Sequence, residues 1–199
     1  MGIAERKIRE KEATRELILR VSWRIVKQQG WQSLSMRKIA SSIEYSVPVI
    51  YNHFPNKEAI LLAFVKQGFQ KLNNALCGAT VKQQSAEQRI EALAYAYLRF
   101  AATNTEYYQL MYGMGMPSCK MVRETAELSA FTDILLAPIR LVTCKNKSKE
   151  VDPLMKLRTF WSMLHGLVCI THMAGDHSDD QNKTVLKDFV HSFIAGIKN

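Results

Sequence analysis

Tyr51, Asn52 and His53 stand in a row, directly after Ser46-Val47-Pro48-Val49-Ile50 and shortly before Lys57. Hydroxyl, carboxamide, imidazole and ammonium groups donate hydrogen bonds to oxyanions and to the polar edges of other molecules. Proton-transfer or acyl chemistry would need a positioned base and a nucleophile. The chain shows no Ser-His-Asp spacing, no glycine-rich phosphate loop and no H-E-x-x-H pair. No catalytic residue and no cofactor is therefore expected. The run is also too short to hold a helix by itself, since isolated helices below roughly 12–15 residues are marginal in water. Neighbouring elements must support it, and an external surface must be its target.

Charge suggests what that surface is. Of the net +9, +6 falls in residues 1–57, where eleven Lys or Arg face five Glu. A basic first quarter suits a polyanion, with nucleic acid ahead of a membrane surface. Apolar residues at 47% and charged residues at 23% are ordinary for a globular chain of 199 residues with a sizeable core. No apolar run reaches the roughly 18 residues of a membrane span. The opening "MGIAERKIREKEATRE" is charged where an export signal is apolar. Cys77, Cys119, Cys144 and Cys169 are scattered without a C-x-x-C pair, as in a reduced cytoplasmic protein. The expectation is a cytoplasmic protein with no membrane partner.

The elements that would position these groups are helices. Leu17, Ile18, Val21, Ile25 and Val26 share one face of a first helix that Gly30 ends. Ser35 reads as the N-cap of a short helix over 36–43, and Ser46 as the N-cap of a second, with Pro48 in its first turn. A longer helix follows from Asn56 toward Leu76. Helices are then expected at 86–102, 106–112, 119–142 with a kink at Pro138, 154–174 and 182–197. The whole is an all-α chain of about nine helices.

Two short helices joined through Glu44 and Tyr45 have helix-turn-helix dimensions. Ile39, Ala40, Ile43, Tyr45, Ile50 and Phe54 would face the first helix. Ser46, Val47, Pro48, Val49, Tyr51, Asn52 and His53 would then line the outside of a helix able to enter a major groove. "GWQSLSMRKIASSIEYSVPVIYNHFPNKEAIL", with its S-x-R-x-I-A and IYNHFPNKEAIL segments, resembles the DNA-binding domain of the tetracycline-repressor-like (TetR) family of bacterial regulators. The resemblance runs from about Thr14 to Leu62. It implies a three-helix DNA-binding domain over 1–57, which includes a basic N-terminal tail, and a larger helical effector-binding and dimerisation domain over 58–199.

Carried over by position, Tyr51 and His53 match phosphate-contacting residues, and Lys57 matches the lysine that opens the fourth helix. Arg37 matches a basic position on the first short helix. Ser35 and Ser46 can add hydroxyls, and base reading falls to Val47, Pro48, Val49 and Asn52. Arg6, Lys7 and Arg9 are either solvated tail charge or a minor-groove arm. Two departures from the family pattern stand out. Glu44 occupies a turn position where many members carry glycine, so the turn is expected to differ locally. Val47 and Val49 replace more polar residues and suit thymine methyl groups.

In the C-terminal part, Trp161, His165 and Gly166 make the W-x-x-x-H-G pattern of one TetR C-terminal subfamily, the WHG type. Close approach of a neighbouring helix would account for a glycine inside a helix. Leu157, Phe160 or Trp161, Leu164, Leu167 or Val168, and Thr171 share a stripe, and the last helix offers Val185, Leu186, Phe189, Val190, Phe193, Ile194 and Ile197. The resemblance implies that these last two helices form a homodimer interface, and with it a palindromic operator. Trp161, His165, Cys169 and His172 share one face, read as a packed or pocket-lining surface and not as a metal site. Tyr97, Phe100, Tyr108, Met111, Trp161 and His165 are the candidate lining of a pocket for a small apolar or aromatic effector. The expected function is a homodimeric repressor of double-stranded DNA released by that effector. The alternative is a TetR-fold DNA-binding protein controlled by a protein partner.

Overall fold

The computed structural model describes residues 2–113, 125–144, 151–174 and 179–198. Among them are nine α-helices and no strand: α1 Ile3–Gln29, α2 Met36–Ser42, α3 Val47–His53, α4 Lys57–Thr80, α5 Ala86–Thr103, α6 Thr105–Tyr112, α7 Ala126–Thr143, α8 Pro153–Ala174 and α9 Asp179–Lys198. A 3-10 turn, Trp31–Ser33, follows α1. No described helix is long and apolar enough to cross a membrane. The expected helix over 119–142 begins at Ala126 in the described residues; 119–124 and most of the loop before Pro153 lie outside them.

The chain divides into two compact units, with Val65 and Lys66 on either side of the division inside α4. In the first unit, Ile18, Val21, Ile25 and Val26 of α1 are buried with Ile39 and Ala40 of α2 and with Ile50, Phe54, Ile60 and Phe64. Gly30 ends α1 at φ 76°, a left-handed backbone that glycine adopts without strain, and its N–H donates to the Val26 carbonyl at 2.9 Å. The basic segment ahead of Thr14 is no loose tail. It forms the first turns of α1, where the Glu5 carboxylate accepts the Gly2 N–H at 3.0 Å and Arg6 pairs with Glu10 at 2.8 Å. Helix propagates outward from the buried half because each added residue gains one backbone hydrogen bond.

In the second unit α5 packs on α7, α8 and α9, and α8 also packs on α7 and α9. Helix α5 starts with a capping box, Ser85 Oγ accepting the Gln88 N–H while Gln88 Oε1 accepts the Ser85 N–H, each at 3.1 Å. Gly68 on α4 was not singled out in the sequence, yet a Cβ there would lie 2.6 Å from Met111 Sδ, so glycine lets α6 approach closely. Leu157, Phe160, Leu164 and Val168 are buried within the chain, with Phe160 against Phe189 and Phe193 of α9. That stripe therefore fills the chain's own core. A different stripe of α8 faces outward: Met155, Met163, Ile170 and Met173 are all exposed. Gly166 lies beside them with none of the described residues within 4 Å of a would-be Cβ. The close neighbour expected at Gly166 is absent within the described chain.

Candidate nucleic-acid interface and aromatic cluster

The geometry of α3 starts with how α2 ends. The Tyr45 N–H donates to the Ala40 carbonyl at 3.0 Å and the Glu44 N–H to that of Ser41 at 3.4 Å. This is the paired bonding of a Schellman turn, which places Glu44 in the left-handed region at φ 59°. The turn thus keeps the backbone a glycine would adopt, contrary to the expected local difference. Ser35 caps α2 as expected, accepting the Lys38 N–H at 3.2 Å. Ser46 occupies the cap position of α3 but its side chain accepts no capping bond. Pro48 sits in the first turn, where no intrahelical donor is lost.

Ile50 is fully buried and Phe54 nearly so, which turns the opposite side of α3 outward. Ser46, Pro48 and Asn52 are exposed, Tyr51 is 51% exposed, and Val47, Val49 and His53 are half-buried. Tyr45, expected in the small core, is exposed instead; the left-handed Glu44 turns the chain before it reaches that core. Arg37 is exposed on α2, while the Lys38 ammonium bonds the Gln29 carboxamide oxygen at the end of α1. Asn56 Oδ1 accepts the Ala59 N–H at 2.8 Å and opens α4. Lys57, next to it, holds its ammonium 4.7 Å over the Trp31 ring.

His53 carries the most perturbed environment on this face. Its pKa is lowered first by burial and then by Lys11 and Arg15 of α1. Its Nδ1 is buried without a hydrogen-bond partner. Arg15 lays its guanidinium 4.5 Å over the ring of Phe54, the next residue. Lys11, Arg15 and Trp31 were not among the sequence candidates. The signal for the first two was their i, i+4 spacing in line with Ile18, the first buried residue of α1.

A second constellation lies in the other unit. The hydroxyls of Tyr97 and Tyr108 are 3.1 Å apart, Tyr108 Oη is 2.6 Å from His165 Nδ1, and His165 Nε2 is 3.5 Å from Cys169 Sγ. Around this chain of contacts pack Tyr112, 4.7 Å from Tyr108 and 4.8 Å from His165 between ring centres, and Phe131, 5.1 Å from Trp161. Phe131 of α7 is the member of this group that the sequence did not mark. Burial raises the pKa of Tyr97, Tyr108 and Tyr112, so all three stay neutral phenols, and it lowers that of His165. The buried Tyr112 hydroxyl makes no hydrogen bond of ordinary geometry, although Tyr97 and Trp161 lie near enough to act on it. His172 turns Nδ1 to the Val168 carbonyl at 2.9 Å. Two candidates fall outside these contacts. Met111 packs under Gly68, and Phe100 lines a groove of about 570 Å³ with Lys71, Asn74 and Arg99.

Comparison with known proteins joins both constellations to one family. Residues 18–64 match the bacterial regulatory proteins of the tetR family, and residues 90–186 match the tetracyclin repressor-like C-terminal domain. The chain belongs to the TetR family. It is a DNA-binding transcriptional regulator. Among its relatives, the uncharacterized HTH-type transcriptional regulator YobS of Bacillus subtilis is 21% identical over 184 residues, 92% of each chain. The uncharacterized HTH-type regulator Rv0681 of Mycobacterium tuberculosis is 23% identical over 194 residues, 96% of this chain and 84% of the relative. The fold matches a Rhodococcus protein of unknown function at a TM-score of 0.77 and 24% identity, over 93% and 95% of the two chains. It also matches the TetR regulator PfmR of Thermus thermophilus at 0.65 and 20%, over 89% and 97%.

Proposed function

We propose that this TetR-family chain is a homodimeric repressor that reads a palindromic operator with α3 and leaves it when a small molecule enters the second unit. The observation that carries the reading is the division of α3: Ile50 is fully buried while Tyr51, one residue on, is half exposed. In this reading Val47, Pro48, Val49 and Asn52 meet base edges. Ser35, Arg37, Ser46, Tyr51, His53 and Lys57 meet phosphates. One seven-residue helix touches few base pairs, so a two-fold pair with two half-sites supplies the specificity. The outward stripe of α8, with the exposed Val185 of α9, is the apolar surface available for that pairing.

The aromatic cluster of Tyr97, Tyr108, Tyr112, Trp161 and His165 supports an apolar or aromatic effector. Its neutral hydroxyls offer hydrogen bonds, and the Tyr112 hydroxyl is the group for which a ligand acceptor would supply a missing partner. The effector would release DNA by favouring a conformation in which the two α3 helices are wrongly spaced. Operator selection from a random library followed by gel shift tests the reading. Tyr51→Ala and Lys57→Ala should weaken binding on every sequence and flatten its salt dependence, whereas Val49→Ala should change base preference. Unaltered binding in all three variants removes α3 as the reading element.

A further inference from the structure

We propose that Lys11 and Arg15 of α1 join His53 in a phosphate-binding cluster beside α3, and that His53 takes up a proton when DNA phosphate occupies it. The proposal rests on the reading that the α3 face meets DNA, and adds two residues and a proton to it. The geometry begins with Ile18, fully buried in the core of the first unit. One and two turns earlier along the same face of α1 come Arg15 and Lys11, both exposed. The face that packs at Ile18 therefore continues outward as a basic edge. It arrives at the end of α3: the Arg15 guanidinium lies 4.5 Å over Phe54, and Lys11 and Arg15 both act electrostatically on His53.

The charged groups acting on His53 from α1 are cations only. On the other side, Lys57 opens α4 four residues later and turns its ammonium to Trp31, with Glu58 exposed beside it. Within the free protein the imidazole is thus kept neutral by partial burial and two positive neighbours, with Nδ1 lacking a partner. A phosphate reverses that balance. It neutralises the field of Lys11 and Arg15 and accepts a hydrogen bond from an imidazolium N–H, so the bound state favours the charged ring. By linkage, the form that holds the extra proton gains as pH falls.

The test is fluorescence anisotropy on a random-sequence duplex of about 30 base pairs at low ionic strength, since phosphate contacts are sequence-independent. Wild-type affinity should rise severalfold from about pH 8 to about pH 6. His53→Gln should abolish that rise while keeping most of the salt dependence. Lys11→Ala should lessen the salt slope by about one and move the pH rise upward, because one cation that kept the ring neutral is gone. Arg15→Met, which preserves apolar cover over Phe54, should do the same. Circular dichroism melting shows that each variant is folded. A wild-type salt slope and pH profile in Lys11→Ala and Arg15→Met overturns the proposal. A wild-type protein that ignores the duplex overturns it together with the reading beneath it.

Discussion

The ammonium of Lys57 lies 4.7 Å above the centre of the Trp31 ring, joining the first residue of α4 to the first residue of the 3-10 turn. Lys57 has many rotamers, and the indole face holds it in one region beside the amides that open α4. Such a contact at a half-exposed site stabilises by about 0.5–1 kcal/mol. Trp31→Ala should therefore lower affinity for duplex DNA about two- to fivefold, and Trp31→Phe should retain most of it. Anisotropy titration at fixed salt measures this. Full affinity in Trp31→Ala would mean that the ring does nothing for the lysine.

Glu44 is the one non-glycine residue with positive φ among those described. A side chain in the left-handed region costs about 1–2 kcal/mol, part of which glycine gives back through greater freedom in the unfolded chain. Glu44→Gly should thus raise stability by up to about 1 kcal/mol, seen as a higher urea midpoint at unchanged slope. Glu44→Ala keeps the Cβ and should gain nothing. Equal midpoints for Glu44→Gly and Glu44→Ala would refute strain at this turn.

The legibility of the sequence follows the same physics. Ile50 and Phe54 inside, with Tyr51 and Asn52 outside, was readable because helical period alone sorts them. Tyr45 was misplaced because its side is set by the φ of Glu44, which no apolar pattern encodes. Charge in residues 3–13 looked like a tail because those residues bury nothing; their helix is inherited from Ile18 onward. On α8 both the Leu157–Val168 stripe and the Met163–Met173 stripe are apolar, so periodicity could not say which one the chain keeps for itself. Phe131 was passed over since its role arises only when α7 meets Trp161 of α8.

Tyr108 Oη lies 2.6 Å from His165 Nδ1 in the aromatic cluster, and burial lowers the pKa of His165 below 6.5. Above the unfolded value both states hold a neutral ring, so its contribution to stability is complete. As pH falls through about 6.5 the unfolded chain takes up a proton that the folded one refuses, and stability drops until the folded value is passed. Melting temperature should therefore be level above about pH 7 and decline toward pH 5. His53 shares this sign. His165→Gln and His53→Gln should each remove part of the decline, whatever they do to stability at neutral pH. An unchanged slope in His165→Gln would mean that its ring charges as readily in the folded chain.

Ile170 is 65% exposed on the stripe of α8 that also carries Met163 and Gly166. A glycine within a helix loses about 1 kcal/mol against alanine, and nothing among the described residues needs the space. In the proposed homodimer a second copy packed on this stripe would supply the reason, since a Cβ would intrude on it. Ile170→Glu should leave far-UV dichroism unchanged and convert the dimer to monomer in sedimentation velocity, with loss of tight binding to a palindrome. Gly166→Ala should raise the dimer dissociation constant about tenfold or more, because overpacking a close seam costs about 1–3 kcal/mol. A dimer indifferent to both substitutions would have to be built on a surface other than this stripe.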